Sequence, residues 1–85
     1  MKAVRMYSSG YCPYCTMAKR LLAAKGVTGV VEVLVDRDPA KRTEMVQSTG
    51  RRTVPQIYVG DTHVGGFDEL AALEHAGKLD PLLAD

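Results

Sequence analysis

Apolar and polar residues alternate at the start of the chain, with Val4 and Met6 on one side of Lys2 to Tyr7, which predicts a short strand. Ser8-Ser9-Gly10 then reads as a small-residue loop. From Pro13 to about Lys25 the period lengthens to three and four, with Ala18, Leu21, Leu22 and Lys25 on one stripe and Gly26 placed to stop a helix. Val30 to Val35 is aliphatic apart from Glu32, the pattern of a strand covered on both faces, and predicts a central or near-central position. Asp38 and Pro39 have the chemistry of a cap and a first helical residue, for a second helix through Met45 and Val46 that ends before Gly50. Val54 to Val59 predicts a third strand, and Gly60-Asp61 a tight turn into a fourth around Thr62 to Val64. Gly65-Gly66 breaks that hairpin. A last helix is expected from about Asp68 to Ala76, with Leu70 and Leu73 inward and Gly77 at its end, before a Leu79 to Leu83 tail able to pack back on the core.

The order βαβαββα opens with a βαβ unit, whose right-handed crossover makes the first two strands parallel and gives a three-layer α/β domain. Its functional edge belongs at the carboxyl end of the first strand, where the chain enters the first helix. Eighty-five residues make one domain, 1–85. The net charge of +1 lacks the field that sequence-independent nucleic-acid binding needs, so no nucleic-acid partner is expected. No run approaches the roughly 18 apolar residues of a membrane span, and no basic segment precedes an apolar signal core, so no membrane partner and a cytoplasmic address are expected.

The two cysteines, Cys12 and Cys15, fall at the expected entrance of the first helix. Unpaired backbone N–H groups and the positive end of the helix dipole favour a thiolate there, and the thiolate is the attacking species in disulfide exchange. Cys12 is therefore the expected nucleophile and Cys15, three residues on along the same helical face, the resolving thiol. Pro13 fits the first turn, where its missing N–H is not needed, and Tyr14 faces the entering substrate. A structural disulfide would close too small a loop to stabilise much, and a zinc site would find only His63 and His75, unclustered, to complete it. No metal is expected.

Thr53-Val54-Pro55 forces Val54 into an extended shape, so that its backbone can receive a substrate peptide by strand addition; a strand simply starting after a turn is the plainer alternative. Gly65-Gly66-Phe67-Asp68 brings backbone N–H groups to a helix start, an anion site with Asp68 beside it for an ammonium group; an ordinary turn capped by Asp68 fits as well. Arg51 and Arg52 are placed to clamp a carboxylate, or only to solvate a surface. His63 and His75 read as surface or edge residues, and Lys19 as an exposed side chain with at most a minor electrostatic role at the thiolate.

Cys-Pro-Tyr-Cys at 12–15, Thr-Val-Pro-Gln at 53–56 and Gly-Gly-Phe-Asp-Glu-Leu at 65–70 together resemble the dithiol glutaredoxins of the short bacterial type, over nearly the whole chain. The resemblance implies a thioredoxin fold, a four-stranded mixed sheet in the order 2-1-3-4 with three helices, and a cis bond before Pro55. It implies a glutathione groove beside Cys12 lined by Tyr14, Arg52, Thr53, Val54, Pro55, Gly66, Phe67 and Asp68, with the γ-glutamyl end at Phe67 and Asp68 and the glycyl carboxylate toward Arg52 and Gln56. Glutathione would be the reducing cosubstrate, no cofactor would be held tightly, and a monomer would serve disulfide-bonded or glutathionylated proteins, ribonucleotide reductase being one candidate client. Ser9 stands where many members have lysine, and Phe67 where members often have cysteine. Two alternatives are a donor recharged by thioredoxin reductase and a dimer binding an iron–sulfur cluster through Cys12 and two glutathiones.

Overall fold

In a computed structural model covering all 85 residues, the first strand, β1 (Val4–Ser8), pairs in parallel with β2 (Val31–Leu34) and antiparallel with β3 (Gln56–Val59). β3 continues antiparallel to β4 (Thr62–Gly65), so the sheet runs β2-β1-β3-β4, the order of the thioredoxin fold. Helices α1 (Pro13–Ala24), α2 (Pro39–Thr49) and α3 (Phe67–His75) follow the expected order. The Leu79–Leu83 tail packs back as a further short helix, α4, tied to the start of the sheet by the Lys2 N–H, which donates to the Leu83 carbonyl at 2.8 Å. No helix is long and apolar enough to cross a membrane.

Strand alternation sends β1 and β3 side chains to two unequal cores. Val4, Met6, Ile57 and Val59 join Ala18 and Leu22 of α1, Leu70 of α3, and Leu79 and Leu83 of α4 in one cluster. Tyr7, Tyr58, Val35 and Met45 of α2 form a smaller one on the other face. Met45 is the sole buried residue of α2, whereas α1 buries Cys15, Ala18 and Leu22. The helix carrying the cysteines is thus seated in the larger core.

Two expectations change. β2 is an edge strand, not a central one: Val31 is 60 % exposed, and the aliphatic run needs only β1 beside it. The third strand begins at Gln56 instead of Val54, because Pro55 has no N–H for the ladder; the Val54–Pro55 bond is cis, as the resemblance implies. That leaves Thr53, Val54 and Pro55 as a loop at the end of the sheet, beside the start of α1.

Candidate active site

Cys12 is the N-cap of α1. Its backbone is extended (φ −150°, ψ 100°), and its Sγ accepts the N–H of Cys15 at 3.1 Å, one of the donors that a helix start leaves unpaired. Cys15 is buried, 1 % exposed, while Cys12 is half-buried, and the two are joined as a disulfide with Cα atoms 5.2 Å apart. The outer sulfur is the one an incoming disulfide meets, and the inner one lies behind it within bonding reach. The preceding loop is fastened by the Gly10 N–H, which donates to Asp36 Oδ2 at 3.0 Å. Lys19 is engaged elsewhere, with Nζ 3.2 Å from Glu32 Oε1. The Ser8 hydroxyl, donating to Glu32 at 2.6 Å, and then Lys19 hold that carboxyl below its usual range. No group of three or more His, Cys, Asp or Glu side chains is arranged to hold a metal ion.

Beside Cys12 is the loop before β3, whose Val54 carbonyl oxygen lies 3.9 Å from Cys12 Sγ, and that loop forms one wall of a cleft. Tyr14, Thr53, Val54, Pro55, Gly66, Phe67 and Asp68 line this cleft together with Arg51 and Glu69. The Tyr14 and Phe67 rings, 6.4 Å apart between centroids, form its apolar end. Arg52 lies elsewhere: it lines a separate depression with Pro39 and Arg42 of α2, and its carbonyl accepts from Arg42 Nη1 at 3.0 Å. Gln56 is fully buried. Its Nε2 donates to the Thr53 carbonyl (2.9 Å) and lies 3.3 Å from Thr53 Oγ1, and its Oε1 is 2.8 Å from His63 Nε2, so its amide is spent inside the protein. His63 is therefore an edge residue, as expected, on the outer strand β4, and also a half-buried partner of the cleft loop. Burial, and then the Arg51 charge, hold its pKa below the ordinary histidine value.

Gly66, not Asp68, is the N-cap of α3. Having no side chain to cap with, it is served by Glu69, whose Oε1 accepts the Gly66 N–H at 2.8 Å and an Arg51 N–H at 2.6 Å. One carboxylate oxygen thus ties the loop before β3 to the start of α3, across the cleft's floor. Arg51 and then the Gly66 N–H hold the Glu69 carboxyl below its usual range. Glu69 was not singled out from the sequence, although its position three residues after Gly66 is the spacing of a capping box. Gly65, at φ +114°, is required by the same turn: a Cβ there would run into Glu69 Oε1 and lie 3.0 Å from Arg51 Nη1.

The geometry has close counterparts. Over 83 residues the chain is 54 % identical to a glutaredoxin of Neisseria meningitidis serogroup A, covering 98 % of each chain. A glutaredoxin of Brucella melitensis in solution superposes with a TM-score of 0.84 at 49 % identity, over 98 % of this chain and 89 % of that one. A buckwheat glutaredoxin–glutathione complex superposes with a TM-score of 0.87 at 32 % identity, over 96 % of this chain and 76 % of that one. With the glutaredoxin family model matching residues 4–64 as well, the strand, cysteine helix and proline loop described above all fall inside the match, and the chain belongs to the glutaredoxin family of thiol-disulfide oxidoreductases.

Proposed function

We propose that this chain uses glutathione to reduce protein disulfides and glutathione mixed disulfides, with Cys12 as nucleophile and Cys15 as resolving thiol. The observation that carries this is Cys12 Sγ held at the mouth of α1 under the Cys15 N–H, 3.9 Å from the carbonyl of Val54, a residue that lines an open cleft. A hydrogen bond aimed at the sulfur favours its charged form, which is the reactive one.

With a glutathionylated protein, the Cys12 thiolate attacks the glutathione sulfur, the protein thiolate leaves and takes a proton, and glutathione remains on Cys12. A second glutathione thiolate attacks that glutathionyl sulfur, giving oxidised glutathione and returning the Cys12 thiolate. With a protein disulfide, Cys12 forms the mixed disulfide and Cys15 then attacks the Cys12 sulfur, releasing the reduced dithiol. Two glutathiones afterwards reopen the Cys12–Cys15 bond. In the bound tripeptide the γ-glutamyl end lies at Phe67 and Asp68, with the N–H groups at the start of α3 for its carboxylate. Val54 pairs with the backbone of the central cysteine, and Tyr14, Thr53, Pro55 and Gly66 shape the groove. The glycyl carboxylate is taken by Arg51, which lines the cleft, in place of Arg52, which does not. The same proposal makes the chain a monomer of the cytoplasm with no tightly held cofactor, serving disulfide-bonded or glutathionylated clients.

Two variants test the scheme. Cys12→Ser is expected to abolish turnover of both substrate types. Cys15→Ser is expected to lose protein-disulfide reduction and keep turnover of a glutathione mixed disulfide, in a steady-state assay coupled to glutathione reductase. A Cys15→Ser protein dead on the mixed disulfide would refute the division of labour between the sulfurs.

A further inference from the structure

Resting on that reading of the cleft, we propose that His63, on β4, is a positioning residue for the Thr53-Val54-Pro55 wall and acts on it through Gln56. The Gln56 amide is fully buried. Gln56 directs its Nε2 to Thr53, so its Oε1 is the end presented to His63 Nε2 at 2.8 Å. A carbonyl oxygen can only accept, so His63 Nε2 must carry the hydrogen. The imidazole is held in place by Tyr58, its partner in the β3–β4 register, with ring centroids 5.0 Å apart. A relay therefore runs from β4 through a buried side chain to the Thr53 carbonyl. The next residue, Val54, has its own carbonyl 3.9 Å from Cys12 Sγ.

The relay fixes which way the Gln56 amide points. Without the His63 donor, a buried oxygen is left unpaired, and the amide recovers a partner only by shifting toward water. The shift draws Nε2 off the Thr53 carbonyl and releases the loop. The consequence falls on the substrate-binding wall, while Cys12, fixed to α1 in the larger core, keeps its geometry. A plain buried polar pair would affect folding stability alone. A positioning pair affects substrate binding in a protein that is still folded.

The experiment compares the full-length wild type with His63→Phe, which keeps a ring but removes the donor, and His63→Gln, which restores an N–H donor. The substrate is the mixed disulfide of glutathione with mercaptoethanol, measured well below each protein's melting temperature. Loss of one positioned hydrogen bond is expected to raise KM in His63→Phe by about five- to tenfold, with kcat within about twofold. His63→Gln is expected to restore most of the loss. Alkylation of reduced Cys12 by iodoacetamide, which needs the sulfur and not the cleft, is expected to be unchanged in both. An unaltered KM in His63→Phe, a KM that His63→Gln leaves raised, or alkylation falling in step with turnover would each overturn the proposal. Should His63→Phe fail to fold, His63→Ala takes its place under the same criteria. Should the wild type itself not turn over the mixed disulfide, the glutathione reading fails separately. Amide relaxation of Val54 then decides the relay, greater mobility in His63→Phe supporting it and equal mobility overturning it.

Discussion

The two faces of the sheet are built differently. Under α1, α3 and α4 the sheet contributes Val4, Met6, Ile57 and Val59 to a core of ten buried residues with no charged member. On the α2 face, four buried residues suffice, two of them tyrosines, with Val33 and Val54 packed against them, and polar groups share the surface: Arg5 stacks over the Tyr58 ring at 4.2 Å, and Gln56 and His63 share a hydrogen bond. The nucleophile belongs to the first face and the loop opposite it to the second. Dispersion and hydrophobic burial, which are insensitive to orientation, hold the helix that carries the sulfur. Directional bonds hold the wall that must meet a peptide backbone atom by atom. The contrast teaches that reactivity and recognition rest on separable supports, so substitutions should be able to damage one and spare the other.

The largest test of this division is in the cores. Leu22, fully buried in the ten-residue cluster, is expected to cost about 3–4 kcal/mol as Leu22→Ala, whereas Met45→Ala in the thinner cluster should cost about 2 kcal/mol, because its neighbours can collapse into the space. Urea unfolding of the two variants measures the difference. Equal losses would mean that α2 is anchored as firmly as α1, and the contrast would fail.

A smaller effect is expected at the turn joining the cleft's two walls. Gly65→Ala forces a side chain into the left-handed region at φ +114° and against Glu69, for about 1–3 kcal/mol of strain. The clash is relieved by displacing the Glu69 carboxylate from the Gly66 N–H, so the binding wall should move while the Cys12 turn does not. The expected outcome is a raised KM for a glutathione mixed disulfide with an unchanged rate of Cys12 alkylation. An unaltered KM would show that the turn does not govern binding.

Much of this was legible beforehand, for definite reasons. The Cys12-Pro13-Tyr14-Cys15 helix start, the Asp38 cap, whose Oδ1 accepts the Ala40 N–H at 3.0 Å, and the Gly60-Asp61 turn are local, and local chemistry decides them. What escaped depends on contacts distant in sequence. The Val30–Val35 run reads as central because aliphatic continuity reports what covers a strand's faces and says nothing about how many strands flank it. Arg51 and Arg52 are indistinguishable by composition; only the turn after α2 sends one to the cleft and the other toward Arg42. Gln56 looked available to a ligand, yet a lone amide in an otherwise apolar β3 was the signal of a buried group needing partners. Its partner His63 lies across a hairpin, opposite Tyr58, where no linear motif would place it.

The smallest effect concerns protons. Glu69 has its pKa lowered by Arg51 and the Gly66 N–H, so its contribution to stability is complete above the ordinary carboxyl value of 4.5 and is lost as the pH falls through the lower folded value. Both members of that ion pair are 43 % exposed, and solvent screening reduces the contribution to about 0.5 kcal/mol. His63 works in the same direction in a higher window. Its folded pKa is depressed, so the unfolded imidazole takes its proton first and stability declines as the pH drops below 6.5. Urea midpoints of wild type and Glu69→Gln should therefore differ at pH 7, still differ after His63 has titrated, and converge only below pH 4.5. Glu32, also depressed, titrates in that acid window in both proteins and cancels from the comparison. Convergence already near pH 6 would mean that the Arg51–Glu69 tie is broken by the charge of His63, whose imidazole feels both of those charges, and that the two supports of the binding wall fail together.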